Sequence, residues 1–225
     1  MGGPIRTVGE TPLAETIALA MSSRFGVGSS AFRTETTRSM LADSVPFPAY
    51  TRQIVQKAGL YDEELVRNQD DEYSYRLREL GAKLLLAPDV RSIYYSRGSL
   101  ARLWKQYYQY GYWKVRVLQK HPRQMRLRQF VPPIFVASLL AALLLAFFTP
   151  LGRWLLLGIG GAYLAANLAA ALLTAARAGW RHLPLLPLVY AILHLSYGLG
   201  FLGGLLRFAG RWGDKVGKVP DLKLI

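Results

Sequence analysis

The chain has 225 residues, and its 28 lysines and arginines outnumber its 14 aspartates and glutamates, which gives a formal net charge of +14. It contains no cysteine, which excludes disulfides, thiolate catalysis and zinc sites built on cysteine. The three histidines are too scattered along the sequence to suggest a metal cluster. Residues 1–20 lack the basic and apolar regions of a signal peptide, so we expect the soluble part to stay in the cytosol.

Charge and hydrophobicity are distributed unevenly. Residues 1–128 are mixed and charged, whereas residues 129–206 are almost continuously apolar. No acidic residue occurs between Asp89 and Asp214. We therefore expect a soluble α/β part that is followed by an α-helical transmembrane region.

The first predicted element is an amphipathic helix over residues 11–24. Thr11 is a suitable N-cap, and Pro12 occupies the first helical position, where its missing N–H costs nothing. Residues 45–50 contain two prolines and are predicted to be extended. A short helix follows over residues 52–58.

An acidic turn then leads into a helix predicted over residues 69–80. Asn68 is the expected N-cap, and the acids of the first turn complement the helix dipole. Gly81 ends this helix, and strands are predicted over residues 83–87 and 91–95. Alternating helices and strands indicate an α/β or α+β domain over residues 1–98.

Residues 99–128 form a basic, aromatic segment with a helix predicted over residues 100–121. Ten lysines and arginines lie between Arg91 and Arg128, and the helix is rich in tryptophan and tyrosine. This composition favours a helix at the surface of an anionic membrane, although an ordinary packed amphipathic helix has the same pattern. Lipid headgroups and diphosphates are the expected anions. Nucleic acid is not expected, because the sequence contains no recognisable nucleic-acid module.

Three apolar segments, residues 129–152, 154–176 and 183–206, are long enough to cross a bilayer. Two crossings are clear, but prolines interrupt the start of the third segment and glycines crowd its end. Three crossings would put the basic tail, residues 207–225, on the side that the positive-inside rule disfavours. A re-entrant third segment would remove this conflict, and the sequence does not choose between the two.

The acidic turn and the helix after it carry a family-like pattern. Its matching positions are Gly59, Asp62, Glu63, Gln69, Asp70, Glu72, Arg76 and Gly81. The pattern resembles the acceptor-side half of glycosyltransferase family 2, and Gln69 departs from the glutamate that is commoner there. Further segments, residues 2–4, 6–12, 25–28 and 106–114, are similar to the succinoglycan-biosynthesis (exopolysaccharide) type of this family. The resemblance implies a partial GT-A-like fold for the soluble part.

The resemblance implies a role for each acid. Asp70 is identified as the general base of an inverting sugar transfer, since a carboxylate can take the proton of an acceptor hydroxyl. Asp71 and Glu72 are expected to orient the acceptor or to pair with Arg76. The alternative is that these acids only cap the helix.

A second group of residues is expected to bind the acceptor and its diphosphate at the membrane surface. It consists of Arg97, Gln106, Tyr110, Trp113 and Lys114. Aromatic faces stack on sugar rings, and cations bind phosphate. The alternative is an interfacial anchor that does not touch substrate.

The resemblance also implies partners and cofactors. A hexosyltransferase of this type takes a nucleotide-sugar donor and a polyprenyl-diphosphate-linked acceptor, with Mg²⁺ or Mn²⁺ expected in the full-length enzyme. The sequence contains no Asp-x-Asp motif and no donor-binding βαβ unit, so we expect this chain alone to bind no metal and to be inactive. The expected location is the inner (plasma) membrane, multi-pass, with residues 1–128 cytoplasmic.

Two other classes of function stay open. The chain could be a catalytically dead scaffold in a polysaccharide assembly complex, which the missing donor half favours. It could also be a small transporter, which is the weakest reading because the apolar segments lack paired charges.

Overall fold

The structure is a computed structural model that describes residues 1–28, 30–34, 37–215 and 217–219. Its strands are β1 Ile5–Val8, β2 Met40–Leu41, β3 Leu85–Leu86 and β4 Ser92–Tyr95. Its helices are α1 Pro12–Met21, α2 Arg24–Val27, α3 Ala31–Thr34, α4 Arg52–Ala58, α5 Gln69–Glu79, α6 Leu100–Lys120, α7 Val131–Ala146, α8 Pro150–Ala178 and α9 Leu186–Arg207. Short 3₁₀ turns lie at Pro122–Gln124, Leu127–Gln129, Trp180–His182 and Ala209–Arg211. The end of the predicted basic tail, including Lys223, lies outside the described residues.

Two small two-stranded sheets organise the soluble part. β1 pairs in parallel with β4, and β2 pairs antiparallel with β3. The backbone of Gly2 joins the two pairs, because its N–H donates to Leu85 O and its carbonyl accepts from Ala87 N–H. The predicted fold class, a small α/β part followed by a helical membrane region, is confirmed. β3 is shorter than its predicted strand.

The predicted N-terminal helix is divided in two. Thr11 Oγ1 caps α1 by accepting the Ala14 N–H at 3.2 Å, as predicted. The helix ends at Met21, because Ser23 adopts an extended conformation and caps α2 through the Gly26 N–H. This break turns the chain toward α9.

Helix α5 begins at Gln69, and Asn68 occupies the N-cap position, both as predicted. Asn68 has a left-handed backbone, with φ at 64°, and its side chain makes no capping hydrogen bond. Its Nδ2 instead donates to the carbonyl of Tyr110 at 2.9 Å. The start of α5 is therefore tied to the middle of α6, and the side-chain capping that an N-cap asparagine usually provides does not occur.

Helices α6 and α9 run parallel with their backbones in contact, and glycines make this possible. A Cβ atom at Gly200 would lie 2.0 Å from the carbonyl of Tyr108, and one at Gly111 would lie 2.0 Å from the carbonyl of Tyr197. Another face of α6 points into the soluble part, where Lys114, a residue predicted to bind the acceptor and its diphosphate, is buried. For much of its length α6 is thus packed between α9 and the soluble part, as in the alternative of an ordinary packed amphipathic helix.

In the part of the chain that the structure describes, three helices are long and apolar enough to cross a membrane: the segment Leu127–Ala146 that contains α7, then α8 and α9. The boundary between the first two comes earlier than predicted. Thr149 Oγ1 accepts the Gly152 N–H at 3.0 Å and caps α8, with Pro150 in the first position. In the apolar 18-residue stretch of each helix, only 11% of the residues of α8 are buried, against 50% of those of α9.

The close contact of α6 and α9 predicts a sharp difference between two helical glycines. Gly200→Ala should lower the free energy of unfolding by about 1–3 kcal/mol, because the added methyl meets backbone. Gly158→Ala should have no such cost, since nothing lies within 4 Å of its Cβ position. Thermal unfolding of both variants in detergent measures this difference, and equal stability of the two would contradict the packing.

Candidate functional site

A cavity of about 290 Å³ opens beside the first turn of α5. Its walls come from β1, β4, α6 and the loops that precede α4 and α5. The lining residues are Ile5, Phe32, Arg33, Ser44, Val45, Pro46, Phe47, Pro48, Tyr61, Asp70, Tyr94 and Tyr110. Asp70 contributes a carboxylate to this wall and Arg33 a guanidinium.

Asp70 lies at the surface of the cavity, with protein atoms packed closely around it. Its side chain is exposed to the cavity, while the cavity walls surround it closely. One carboxylate oxygen accepts the N–H of Asp71 at 3.0 Å. Burial, and then the negative charge of Asp71, raise the pKa of Asp70 above its usual value. The carboxylate is therefore neither sealed in the core nor directed into bulk solvent away from the cavity.

Asp71 pairs with Lys114 of α6 behind the cavity wall. Lys114 is buried, and its ammonium lies 5.9 Å from the centre of the Tyr75 ring. Burial alone would lower the pKa of Lys114, but the charge of Asp71, the nearby tyrosines and the hydrogen bond to Asp71 together outweigh it, and the pKa is raised. A fixed negative charge thus stands next to Asp70.

Glu72 and Arg76 turn away from the cavity and into the core. Arg76 donates from Nε and Nη2 to the two carboxylate oxygens of Glu72, at 3.1 and 2.8 Å. His121 Nε2 contacts the same carboxylate at 3.0 Å, and His121 Nδ1 contacts Glu79 at 2.8 Å. Of the two roles expected for Glu72, the structure contains the pairing with Arg76. Nothing in the sequence pattern pointed to His121, which is 49 residues away from Glu72.

Gln106 holds two tyrosines of the cavity wall. Its Nε2 donates to Tyr110 Oη at 2.8 Å and to Tyr94 Oη at 3.0 Å. Arg97 Nε donates to Gln106 Oε1 at 3.3 Å. Tyr110 therefore lines the cavity, while Gln106 and Arg97 lie one layer behind it.

Trp113 lies among apolar side chains outside the cavity lining. Its ring centre is 5.6 Å from that of Phe208, and it packs on a small cluster around Val117. The structure thus brings only Asp70 and Tyr110, of the nine predicted site residues, into this lining. The roles of all nine stay predictions.

Sequence reasoning missed ten of the twelve lining residues, and three of these, Arg33, Tyr61 and Tyr94, carry groups suited to ligand binding. Arg33 Nη1 donates to Thr7 Oγ1 at 3.1 Å, and its guanidinium carbon lies 5.5 Å from the Tyr94 ring centre. It comes from a polar segment without periodicity, which gave no signal. Tyr61 stands beside the matched acid pair and could have been found from that neighbourhood.

The cavity offers a carboxylate, a guanidinium and phenol rings to one ligand. Such a set suits a polyhydroxylated molecule with an attached anion, because rings stack on sugars and arginine binds phosphate. Among the residues that the structure describes, no group of three or more His, Asp or Glu could hold a metal ion. Fold and cavity together fit the class of membrane-associated transferases that act on sugars.

Two relatives agree with this class. The chain is 28% identical over 214 residues to the succinoglycan biosynthesis protein ExoA of Rhizobium meliloti (strain 1021), a match that covers 92% of the chain and 61% of that protein. It is 29% identical over 121 residues to dolichyl N-acetyl-alpha-D-glucosaminyl phosphate 3-beta-D-2,3-diacetamido-2,3-dideoxy-beta-D-glucuronosyltransferase of Methanococcus voltae, covering 53% of the chain and 37% of that protein. No protein-family model and no solved structure matches.

These relatives confirm the predicted resemblance to glycosyltransferases of the exopolysaccharide type. The chain spans about 61% of the length of the first relative and 37% of the second. The activity, substrates and partners of the whole protein are therefore matters for a proposal.

The cluster of Glu72, Glu79 and His121 predicts how stability depends on pH. Burial lowers the pKa of His121, but its two glutamate partners outweigh this and raise it above the ordinary 6.5. A raised folded-state pKa means that the stabilisation is complete below pH 6.5 and is lost as pH rises through the folded pKa. His121→Gln should cost about 2 kcal/mol at pH 6 and much less at pH 9.

Thermal unfolding in detergent at the two pH values measures this effect. Glu72 does not titrate in this window, since its own pKa is held below its ordinary 4.5. A cost of His121→Gln that is equal at both pH values would contradict a charged, paired histidine.

Proposed function

We propose that the protein is a membrane-bound glycosyltransferase that transfers a sugar from a nucleotide-sugar to a lipid-linked acceptor in exopolysaccharide biosynthesis. The observation that carries the proposal is the position of Asp70. It matches the acid of the family-like pattern, and its carboxylate lines a cavity with aromatic walls. A polyprenyl diphosphate oligosaccharide is the acceptor that we propose.

The proposed chemistry is an inverting hexosyl transfer. The acceptor hydroxyl donates a hydrogen bond to the Asp70 carboxylate, and its oxygen attacks C1 of the donor sugar. The new C1–O bond forms as the bond from C1 to the diphosphate oxygen breaks on the opposite face, and the hydroxyl proton passes to Asp70. A raised pKa makes Asp70 a better base, because it approaches the pH at which the enzyme works.

Neighbouring groups support this role of Asp70. The Asp71–Lys114 pair fixes a charge beside it, and the Asp71 N–H orients its carboxylate. Tyr94 and Tyr110, held by Gln106, are placed to stack on acceptor sugars. Arg33 is suited to a phosphate oxygen of the acceptor or of the departing nucleotide.

The proposal also covers the binding of the nucleotide-sugar donor. The nucleotide-sugar and the Mg²⁺ or Mn²⁺ expected for this class would be held largely by a part of a longer protein, since the relatives exceed this chain in length. The soluble part would face the cytoplasm at the inner membrane, where nucleotide-sugars are available.

Asp70→Asn tests the proposal. In membranes from cells that produce the intact protein, transfer of radiolabelled sugar from a panel of nucleotide-sugars to extractable lipid should fall by about 10²–10⁴-fold, because the amide cannot take the proton. Membrane insertion should be unchanged. Asp89→Asn is the matched control, since Asp89 is an exposed aspartate on the turn between β3 and β4.

Retained transfer in the Asp70→Asn variant would rule out Asp70 as the base. If no donor gave transfer, and polysaccharide assembly in cells survived Asp70→Asn, the scaffold alternative would replace the enzyme.

Asp71→Asn gives a second test, through the pH profile of transfer. A base works only when ionised, so activity should fall as pH drops through the raised pKa of Asp70. This fall in activity is the acid limb of the pH profile. Removing the Asp71 charge should move the acid limb to lower pH, because that charge helps to raise the pKa of Asp70. Lys114→Met should move the limb the other way, since the lysine charge lowers the pKa of Asp70. The pH dependence of kcat/KM measures both shifts, and an unmoved limb would refute the coupling.

A further inference from the structure

Helix α9 has the length and composition of a membrane span, yet its first half is bound to the soluble part. His194 Nε2 lies 2.8 Å from the carbonyl of Phe25, and the Phe25 ring packs edge-on against Tyr190 at 5.0 Å. Gly26 approaches Leu193 so closely that a Cβ there would meet its side chain at 3.2 Å. These contacts fix the start of α9 against α1 and α2.

The far end of α9 is bound to the soluble part too. Gln119 Nε2, near the end of α6, donates to the carbonyl of Phe208 at 2.8 Å. Between the two ends, the glycine contacts with α6 run along the helix. Because α6 holds the domain acids Asp71, Glu64 and Asp62 on its other face, α9 lies flat along the base of the domain.

The chain that follows α9 returns to the domain. Lys218 N–H donates to Asp62 Oδ1 at 2.8 Å, and the Lys218 carbonyl accepts the Glu63 N–H at 2.9 Å. Arg211 reaches Glu64 at 2.5 Å, and Arg116 donates to the carbonyl of Asp214 at 3.1 Å. The acidic turn and the tail therefore lie on the same side of any bilayer.

These contacts are incompatible with α9 as a third crossing. A crossing separates the two ends of a helix by about 30 Å of hydrocarbon, and three crossings put the domain and the tail on opposite faces. From the contacts at both ends of α9, and from the return of the tail, we infer that the chain crosses the bilayer twice, through α7 and α8, while α9 lies in the near leaflet beneath the domain. This inference is independent of the proposed catalytic function.

Helices α7 and α8 fit the two crossings. The start of α7 and the middle and second half of α8 contact α9, where Val136 meets Gly198, Tyr163 Oη lies 3.1 Å from His194 Nδ1, and Thr174 Oγ1 hydrogen-bonds to Tyr190 Oη at 2.8 Å. Their shared tip extends away and exposes Phe148 and Trp154. Aromatic residues are typical of a membrane–water interface, so the tip is suited to the far face of the bilayer.

The surface of α9 that faces away from α6 fits lipid. Its outward positions recur at helical spacing and are apolar: Leu188, Ala191, Leu195, Leu199, Leu202 and Leu206. Leu188 is 47% exposed and Leu206 82% exposed, at opposite ends of the helix. An in-plane helix buries such a stripe in the headgroup and acyl boundary. The occupant of this face is therefore the bilayer that α7 and α8 cross.

Two crossings also remove the charge conflict. The cations around α6 and those of the tail, such as Arg211 and Lys215, then lie on one face. The positive-inside rule is satisfied by an even number of crossings and violated by three.

The absence of cysteine makes a labelling test clean. Three single-cysteine variants of the full chain report three places: Lys57→Cys on α4, Phe148→Cys at the tip, and Gly213→Cys after α9, where a Cβ meets nothing within 4 Å. A membrane-impermeant maleimide is applied to sealed vesicles of either orientation. We expect Gly213→Cys to label from the same face as Lys57→Cys, and Phe148→Cys from the opposite face.

The other outcomes overturn the inference. If Gly213→Cys labels with Phe148→Cys and opposite to Lys57→Cys, α9 is a third crossing. If all three variants label from one face, α7 and α8 form a re-entrant hairpin and do not cross.

A depth measurement gives an independent readout. Spin labels on single cysteines that replace Leu188, Leu195 and Leu202 in liposome-reconstituted protein report their immersion through oxygen and nickel-chelate collision rates. An in-plane α9 gives the same shallow depth at all three sites. A depth that is greatest at the central site, Leu195, would contradict the inference.

Discussion

Direct backbone contact between α6 and α9 couples the membrane helices to the soluble part. Glycines on both helices let the two backbones touch, because any Cβ at Gly111 or Gly200 would meet a carbonyl oxygen at 2.0 Å. The other face of α6 carries lysines and arginines whose partners are acids of the soluble part, including Glu64 and Asp71. One helix therefore joins the membrane helices to the α/β part, through apolar packing on one side and buried charge on the other.

The position of the cavity follows from the same helix. Asn68 is tied to the Tyr110 carbonyl of α6, which sets where α5 begins and so where Asp70 stands. Tyr110 of α6 forms part of the cavity wall, and Lys114 one turn later holds Asp71. A site attached in this way to the helix above the bilayer is consistent with the proposed acceptor, whose lipid anchor would stay in the membrane. The two relatives, one named for succinoglycan biosynthesis and one for transfer to a dolichyl-linked sugar, agree with such a setting.

The buried charges of the soluble part are paired almost throughout the described residues, and this matters for how the site works. A buried ion that loses its partner costs several kcal/mol, so pairs such as Arg76–Glu72 and Lys120–Asp62 hold α5 and α6 in one arrangement. Asp70 differs from these acids, because its carboxylate faces the cavity and its pKa is raised rather than lowered. A carboxylate with a raised pKa beside a paired network is what the proposed role of Asp70 as a general base requires.

The fold class, the acidic pattern around Asp70 and the long apolar helices could all be predicted from the amino-acid sequence. These features depend on local composition and spacing, such as Thr11 and Pro12 at the start of α1. Three-dimensional packing alone reveals which side chains share the cavity, because Arg33, Tyr94 and Asp70 come from distant segments without a common period. It also decided the setting of α9: hydropathy measures whether a helix can enter a membrane, whereas the partners at its two ends determine whether it crosses one.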